Sequence, residues 1–283
     1  MIKALATDLD GTLFYPKRKM RLMRSKNKKF LIEFGSAGNQ IILVTGRNND
    51  VSSKVAKTIE NDNVIVIGCN GGFVKKGNDT LIENPIEHSR ARVLFDLLCK
   101  DKKVKSILIF TDKHNIILDD TPLNPLYRLV GLIGMKAQGV YNEKFVRGRK
   151  AVYDLLDNEE EKIYKIMPWY GLGPHGDEYA RLASIAYKQS VGDMFEIAWT
   201  ADAVEFMKKG VNKAAILKRI LQDLNIKEEN TYVVGDSGND ISLFHNFENS
   251  FVMSHAPEEV KKEAKYIVES VADLKDYCQE GEN

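Results

Sequence analysis

The sequence predicts an α/β protein: a doubly wound parallel-sheet (Rossmann-like) core interrupted by an inserted α+β domain. Three observations carry that prediction. Runs such as Val64-Ile65-Val66-Ile67 are β-branched and unbroken, as in strands covered on both faces. Amphipathic helical stretches alternate with those runs, which argues for right-handed crossovers and parallel pairing. The alternation stops near Glu87 and resumes after Gly210, which assigns 1–85 and 206–283 to the core and 86–205 to the insertion.

Taken in order, strands are expected at 2–8, 40–45 and 64–68, with helices near 25–37 and 49–61. Asn70-Gly71-Gly72 and Lys76-Gly77-Asn78-Asp79 are turn signals around a small hairpin, Phe73-Val74 with Leu81-Ile82. The insertion reads as a helix at 87–100, strands at 104–111 and 115–119, and a mixed segment at 122–150. A strand near 162–169, a helix near 177–190 and strands near 193–199 and 203–207 complete it. The core pattern then returns as helix 212–224, strand 231–235, helix 239–246 and strand 250–253. Helix 257–264, strand 266–268 and a helix near 271–279 close the chain.

Composition narrows the function classes. The 283 residues carry a formal net charge of +1, so no global basic field argues for nucleic acid or an anionic membrane. No apolar run approaches the roughly 18 residues of a membrane span. Asp8 and Asp10 interrupt the one candidate apolar leader. Cys69, Cys99 and Cys278 are far apart with no CxxC, which leads us to expect a reduced, cytoplasmic protein. The five histidines form no zinc spacing. Eight Lys/Arg between Lys17 and Lys29 read best as a solvated loop and helix face.

The chemistry gathers at expected strand ends, where open α/β sheets bind ligands. Asp8 and Asp10 follow the first strand, two apart, with Gly11 allowing a sharp turn. Side chains two apart on extended chain point the same way, so the two carboxylates repel unless a hard cation holds them. Thr45-Gly46-Arg47 follows the second strand, and a small hydroxyl with free amides suits a phosphate oxygen. Lys213 opens a helix and offers one compact positive charge. Gly235-Asp236-Ser237-Gly238-Asn239-Asp240 adds two carboxylates and an amide after another strand. Acidic groups at two strand ends can share one Mg²⁺, while Lys213 and Thr45 supply the opposite polarity around a phosphoryl group.

The ordered set Asp-x-Asp-Gly-Thr, Thr-Gly-Arg, Gly-x-x-Lys and Gly-Asp-x-x-Asn-Asp resembles the haloacid dehalogenase-like superfamily. The insertion between the second and third motifs, Asn70-Gly71-Gly72 and the tail Ala256 to Lys261 resemble its Cof-type phosphatases. The resemblance implies that Asp8 is a nucleophile forming an aspartyl-phosphate. It implies that Asp10 is the acid/base, with its backbone carbonyl on the metal. It further assigns Thr45, Gly46, Lys213 and Asn239 to the phosphoryl group, with Lys213 also neutralising Asp8, and Asp8 and Asp236 to Mg²⁺, with Asp240 bound to it or in its immediate surroundings. Dehalogenating members lack the second carboxylate, so Asp10 argues against that reaction. Ser254-His255-Ala256 departs from the Gly-Asn-Ala frequent in relatives, and Glu269-Ser270-Val271 departs from Asp-Gly-Val.

The expected function is therefore Mg²⁺-dependent hydrolysis of a small phosphorylated metabolite, with the insertion acting as a specificity cap and no nucleic-acid or membrane partner. Two alternatives stand beside it: a phosphosugar mutase on the same core, and a catalytically idle binding protein. Gly171-Leu172-Gly173-Pro174-His175-Gly176 matches a dinucleotide fingerprint, but Pro174 removes an amide that a pyrophosphate would use. A turn inside the insertion is the favoured reading there.

Overall fold

The computed structural model describes residues 2–15, 23–48, 58–59, 61, 63–113, 115–118, 143–146, 148–171 and 173–279. The first segment contains β1 (Ala4–Thr7), α1 (Ser25–Ser36), β2 (Gln40–Val44), β3 (Ile65–Gly68), β4 (Phe73–Lys76) and β5 (Asp79–Glu83). The middle contains α2 (His88–Leu98), β6 (Ser106–Thr111), β7 (Asn115–Leu118), β8 (Glu143–Val146), α3 (Arg149–Leu156) and β9 (Ile163–Trp169). It continues with α4 (Pro174–Val191), β10 (Phe195–Thr200) and β11 (Ala203–Lys208). The last segment contains α5 (Lys213–Asp223), β12 (Thr231–Gly235), α6 (Ile241–Asn246), β13 (Asn249–Met253), α7 (Glu258–Lys261), β14 (Tyr266–Val268) and α8 (Leu274–Gln279).

These elements form two compact units: Met1–Ile82 with Asn212–Asn283, and Glu83–Val211. The first unit holds an eight-stranded sheet in the order β14-β13-β12-β1-β2-β3-β4-β5. Pairing from β14 through β3 is parallel, and β4 turns back antiparallel to β3. Leu5, Ile41, Leu43, Val66, Val234 and Phe251 pack with Phe30, Leu31 and Phe34 of α1. The alternate residues Ala4, Ala6, Ile42, Ile67 and Val233 are fully buried too, so both sheet faces are covered. On α5, Ala214, Ile216, Leu217, Ile220 and Leu221 are buried, and this helix packs against β3.

The second unit holds a six-stranded sheet in the order β10-β11-β9-β6-β7-β8, antiparallel except for β7 with β8. Leu94, Phe95 and Leu98 of α2, Val152 and Leu156 of α3, and Ala180, Tyr187 and Val191 of α4 pack on Ile109, Ile166, Val204 and Phe206. Among the described residues, no helix is long and apolar enough to cross a membrane.

Several elements differ from the sequence reading. Helix α3 is an addition: only Val152 and Leu156 are buried on it, which is too thin a stripe to register as periodicity. Helix α4 starts at Pro174, because proline suits the first helical turn. Gly171 (φ 108°) and Gly173 (φ 91°) are left-handed, and a Cβ on Gly176 would lie 1.8 Å from the Gly171 carbonyl oxygen. The backbone itself therefore demands the glycines of that GxGxxG segment. Helix α7 is one turn long rather than the expected 257–264, since the Lys265 amide is already held by Ser250 Oγ at 3.1 Å. Most of the helix expected at 49–61, most of 122–150 and residues 17–22 of the basic stretch lie outside the described residues.

Candidate active site

The strand order places three motifs side by side. Thr7 of β1 pairs in register with Leu43 of β2 and with Val234 of β12. Asp8, Thr45 and Asp236 follow those adjacent strands at their C-terminal ends. The Asp8 amide donates to the Val234 carbonyl at 3.0 Å, extending the ladder to the acid itself.

After Asp8 the chain leaves the strand. Leu9–Leu13 wraps into a turn in which Asp10 (φ −79°, ψ 120°) and Gly11 (φ 80°) are non-helical. The two carboxylates find different partners. Asp8 is buried, whereas the Asp10 side chain is 50% exposed and forms a bidentate pair with Arg47. A Cβ on Gly11 would lie 2.1 Å from Asp236 Oδ2, so only glycine permits this approach.

Lys213 is the first residue of α5, behind an Asn212 cap whose Oδ1 accepts from the Ala215 amide at 2.9 Å. Its side chain is 0% exposed and donates to Asp8 Oδ1 at 2.8 Å and Asp240 Oδ1 at 2.6 Å. Asp240 is fully engaged: its Oδ2 accepts from the Asp236 amide at 3.0 Å and the Ser237 amide at 3.1 Å. A Cβ on Gly235 would lie 2.3 Å from the Asp240 carboxyl carbon, which explains glycine before Asp236. Asn239 is buried in the same turn, and its Oδ1 accepts from Ser237 Oγ at 2.9 Å.

Asp8, Asp236 and Asp240 each offer a carboxylate oxygen, all within 4.8 Å of one another. The Asp10 carboxylate is not in that trio. Burial pushes the Asp8 carboxyl well above its ordinary range; Lys213 opposes this, while Asp240, Asp236 and Asp10 add to it. Burial likewise raises Asp236, partly countered by His255 and Thr12. Burial works against the charge of Lys213, but Asp240 and Asp8 outweigh it and hold the ammonium above its usual range. Three carboxylates facing one ammonium leave negative charge in excess, and hard oxygen donors this close fit Mg²⁺.

Thr45 is buried, and its amide donates to the Ile67 carbonyl at 2.9 Å. Its hydroxyl accepts from the Arg47 amide at 3.1 Å. The amides of Thr45 and Arg47 are thus engaged rather than free, and Gly46 lies between them. Asn70 (φ 56°) donates from its amide to the Thr45 carbonyl at 2.9 Å, so the turn after β3 clasps this loop.

Two participants carried no assigned role in the sequence reading. Thr12 Oγ1 donates to Asp236 Oδ1 at 2.8 Å, joining the first and fourth motifs. Its place inside Asp-x-Asp-Gly-Thr is the available signal. His255 Nε2 lies 3.7 Å from Asp236 Oδ2, and its signal is the departure of Ser254-His255-Ala256 from the pattern of relatives.

Comparison with known proteins gives the family and the fold. A family model described as haloacid dehalogenase-like hydrolase matches residues 5–275. The chain is 23% identical over 271 residues to the 5-amino-6-(5-phospho-D-ribitylamino)uracil phosphatase YcsE of Bacillus subtilis, covering 95% of this chain and 90% of that protein. It is 24% identical over 275 residues to a putative phosphatase of Mycoplasma genitalium, covering 95% and 93%. A solved HAD subclass IIB sugar phosphatase superposes with a TM-score of 0.76 at 20% identity, covering 97% of this chain and 98% of that one. A haloacid dehalogenase-like hydrolase from B. subtilis gives 0.78 at 20% identity, covering 96% and 98%.

Proposed function

The chain belongs to the haloacid dehalogenase-like hydrolase family, and we propose that it is a Mg²⁺-dependent phosphatase acting on a small phosphorylated metabolite through an aspartyl-phosphate. The observation that carries this reading is the buried Lys213 ammonium bridging Asp8 and Asp240, with Asp236 in the same trio of acids. Asp8 is the nucleophile: its carboxylate oxygen bonds to phosphorus as the bond to the leaving oxygen breaks. Asp10 protonates that oxygen, then takes a proton from the water that attacks phosphorus and frees Asp8 and inorganic phosphate. Its half-exposed carboxylate, steered by Arg47, is accessible for that exchange. Lys213 neutralises Asp8 and the equatorial phosphoryl oxygens. Thr45, Gly46 and Asn239 are the remaining phosphoryl contacts.

Asp8, Asp236 and the Asp10 backbone carbonyl would hold Mg²⁺, with Asp240 bracing Asp236 through its amide. Bound Mg²⁺ supplies the positive charge that keeps buried Asp8 ionised and draws electron density from the phosphoryl oxygens. The insertion is assigned the choice of leaving group, and the setting is assigned to the cytoplasm.

The test is Asp8→Asn. It should lower Mg²⁺-dependent hydrolysis of p-nitrophenyl phosphate by at least about 10⁴-fold while leaving the protein folded. Activity within about tenfold of the unchanged chain would overturn the mechanism. A panel of sugar, nucleotide, flavin and pyridoxal phosphates then ranks substrates by kcat/KM. 5-Amino-6-(5-phospho-D-ribitylamino)uracil belongs in it, because relatives from Bacillus subtilis and Escherichia coli are named as its phosphatases.

A further inference from the structure

The Asp236 carboxylate is confined on three sides. Oδ1 accepts from Thr12 Oγ1 at 2.8 Å. The main chain at Gly11 walls Oδ2, leaving no room there for a Cβ. His255 Nε2 faces Oδ2 at 3.7 Å, an ion-pair separation that a small side-chain shift converts to a hydrogen bond. The His255 side chain is 27% exposed and that of Asp236 16%, so the pair stands at the edge of the site and is only partly screened by water.

His255 is itself held in place. Its turn is pinned by the Ser254 amide on the Val268 carbonyl and the Ala256 amide on the Met253 carbonyl, both at 2.9 Å. Its ring stacks on Tyr15 with centroids 3.5 Å apart and planes 13° from parallel. Tyr15 is fixed in turn by its amide on the Thr12 carbonyl at 3.2 Å. The segment after β1 and the turn after β13 therefore meet in one stacked pair directly over the acid.

We propose that His255, braced by Tyr15, is a positioning residue that orients Asp236 for Mg²⁺. The proposal rests on the Mg²⁺-phosphatase reading and extends it to a residue outside the four motifs. A ring nitrogen aimed at the carboxylate does what packing alone does not: it selects one rotation of a group whose other oxygen Thr12 already holds. His255→Phe separates the two contributions, because phenylalanine keeps the stack and loses the nitrogen. His255→Gln restores an N–H donor without the ring.

The experiment is calorimetric titration of Mg²⁺ into the full chain, with Tm and kcat at saturating Mg²⁺ measured alongside. His255→Phe should keep the Tm of the unchanged chain, weaken Mg²⁺ binding by about tenfold, and leave kcat at saturating Mg²⁺ within about threefold. His255→Gln should recover part of the lost affinity. Tyr15→Leu should weaken binding severalfold and add little in combination with His255→Phe. Mg²⁺ affinity within about twofold for His255→Phe, or no recovery with His255→Gln, would overturn the proposal while leaving the phosphatase reading intact. Failure of the unchanged chain to bind Mg²⁺ would overturn both.

Discussion

Lys213 in the first unit and Lys165 in the second are both buried ammonium groups with a carboxylate oxygen at 2.6 Å. Their surroundings differ. Lys165 lies within β9, pairs with Glu205 of β11 and sits 4.4 Å from the Phe110 ring centroid. That ion pair is neutral in itself and lies inside a sheet. Lys213 lies at a helix start beside strand ends, among three carboxylates. A neutral buried pair meets its own electrostatic demand, whereas an excess of buried acid needs a further cation or a bound proton. The imbalance, rather than burial, separates a site for chemistry from a structural pair.

The largest expected effect comes from Lys213→Met. It strands Asp8 and Asp240 and should cost about 3–5 kcal/mol in urea unfolding of the metal-free protein, as well as abolishing hydrolysis. Saturating Mg²⁺ should return part of that stability. An unchanged unfolding midpoint would break the comparison.

Lys165→Met should cost a similar amount, yet the double variant Lys165→Met with Glu205→Leu should return to within about 1–2 kcal/mol of the unchanged chain. No single second substitution should rescue Lys213→Met, because Asp240 also holds the Asp236 and Ser237 amides. A double-mutant cycle in urea measures both statements. Failure of the Lys165/Glu205 double variant to recover would erase the distinction between the two pairs.

The smallest effect is in pH. Asp8 and Asp236 have folded-state values raised above the unfolded ones. Their contribution to stability is therefore fully present below the ordinary aspartate value of about 3.9 and is lost as pH rises through the folded values. The metal-free Tm should fall over that window, and both Asp8→Asn and saturating Mg²⁺ should flatten the fall. A metal-free Tm that rises across the same window would contradict the assignment of excess charge.

Much of this arrangement is legible before folding. The acids at Asp8 and Asp236 and the hydroxyl at Thr45 stand after strongly apolar runs, and such runs are a local signal. Local signals were weak for α3, where Val152 and Leu156 are the buried residues. At Asp10 they mark the acid but not its partner, since the Arg47 that pairs with it stands 37 positions on. Thr12 and His255 reach Asp236 across the sheet, and no periodicity encodes such a pair.

The sequence by itself determined which residues end strands, where glycine was required, and which charges were available. Those are consequences of side-chain size, backbone freedom and composition. Only the tertiary structure decided that Lys213 reaches Asp240 as well as Asp8, that Asp10 is the carboxylate Arg47 holds, and that Thr12 joins Asp236 across 224 positions. The physical reason is the strand order β12-β1-β2: parallel pairing brings distant strand ends within hydrogen-bond reach, and hydrogen-bond reach sets charge, orientation and chemistry.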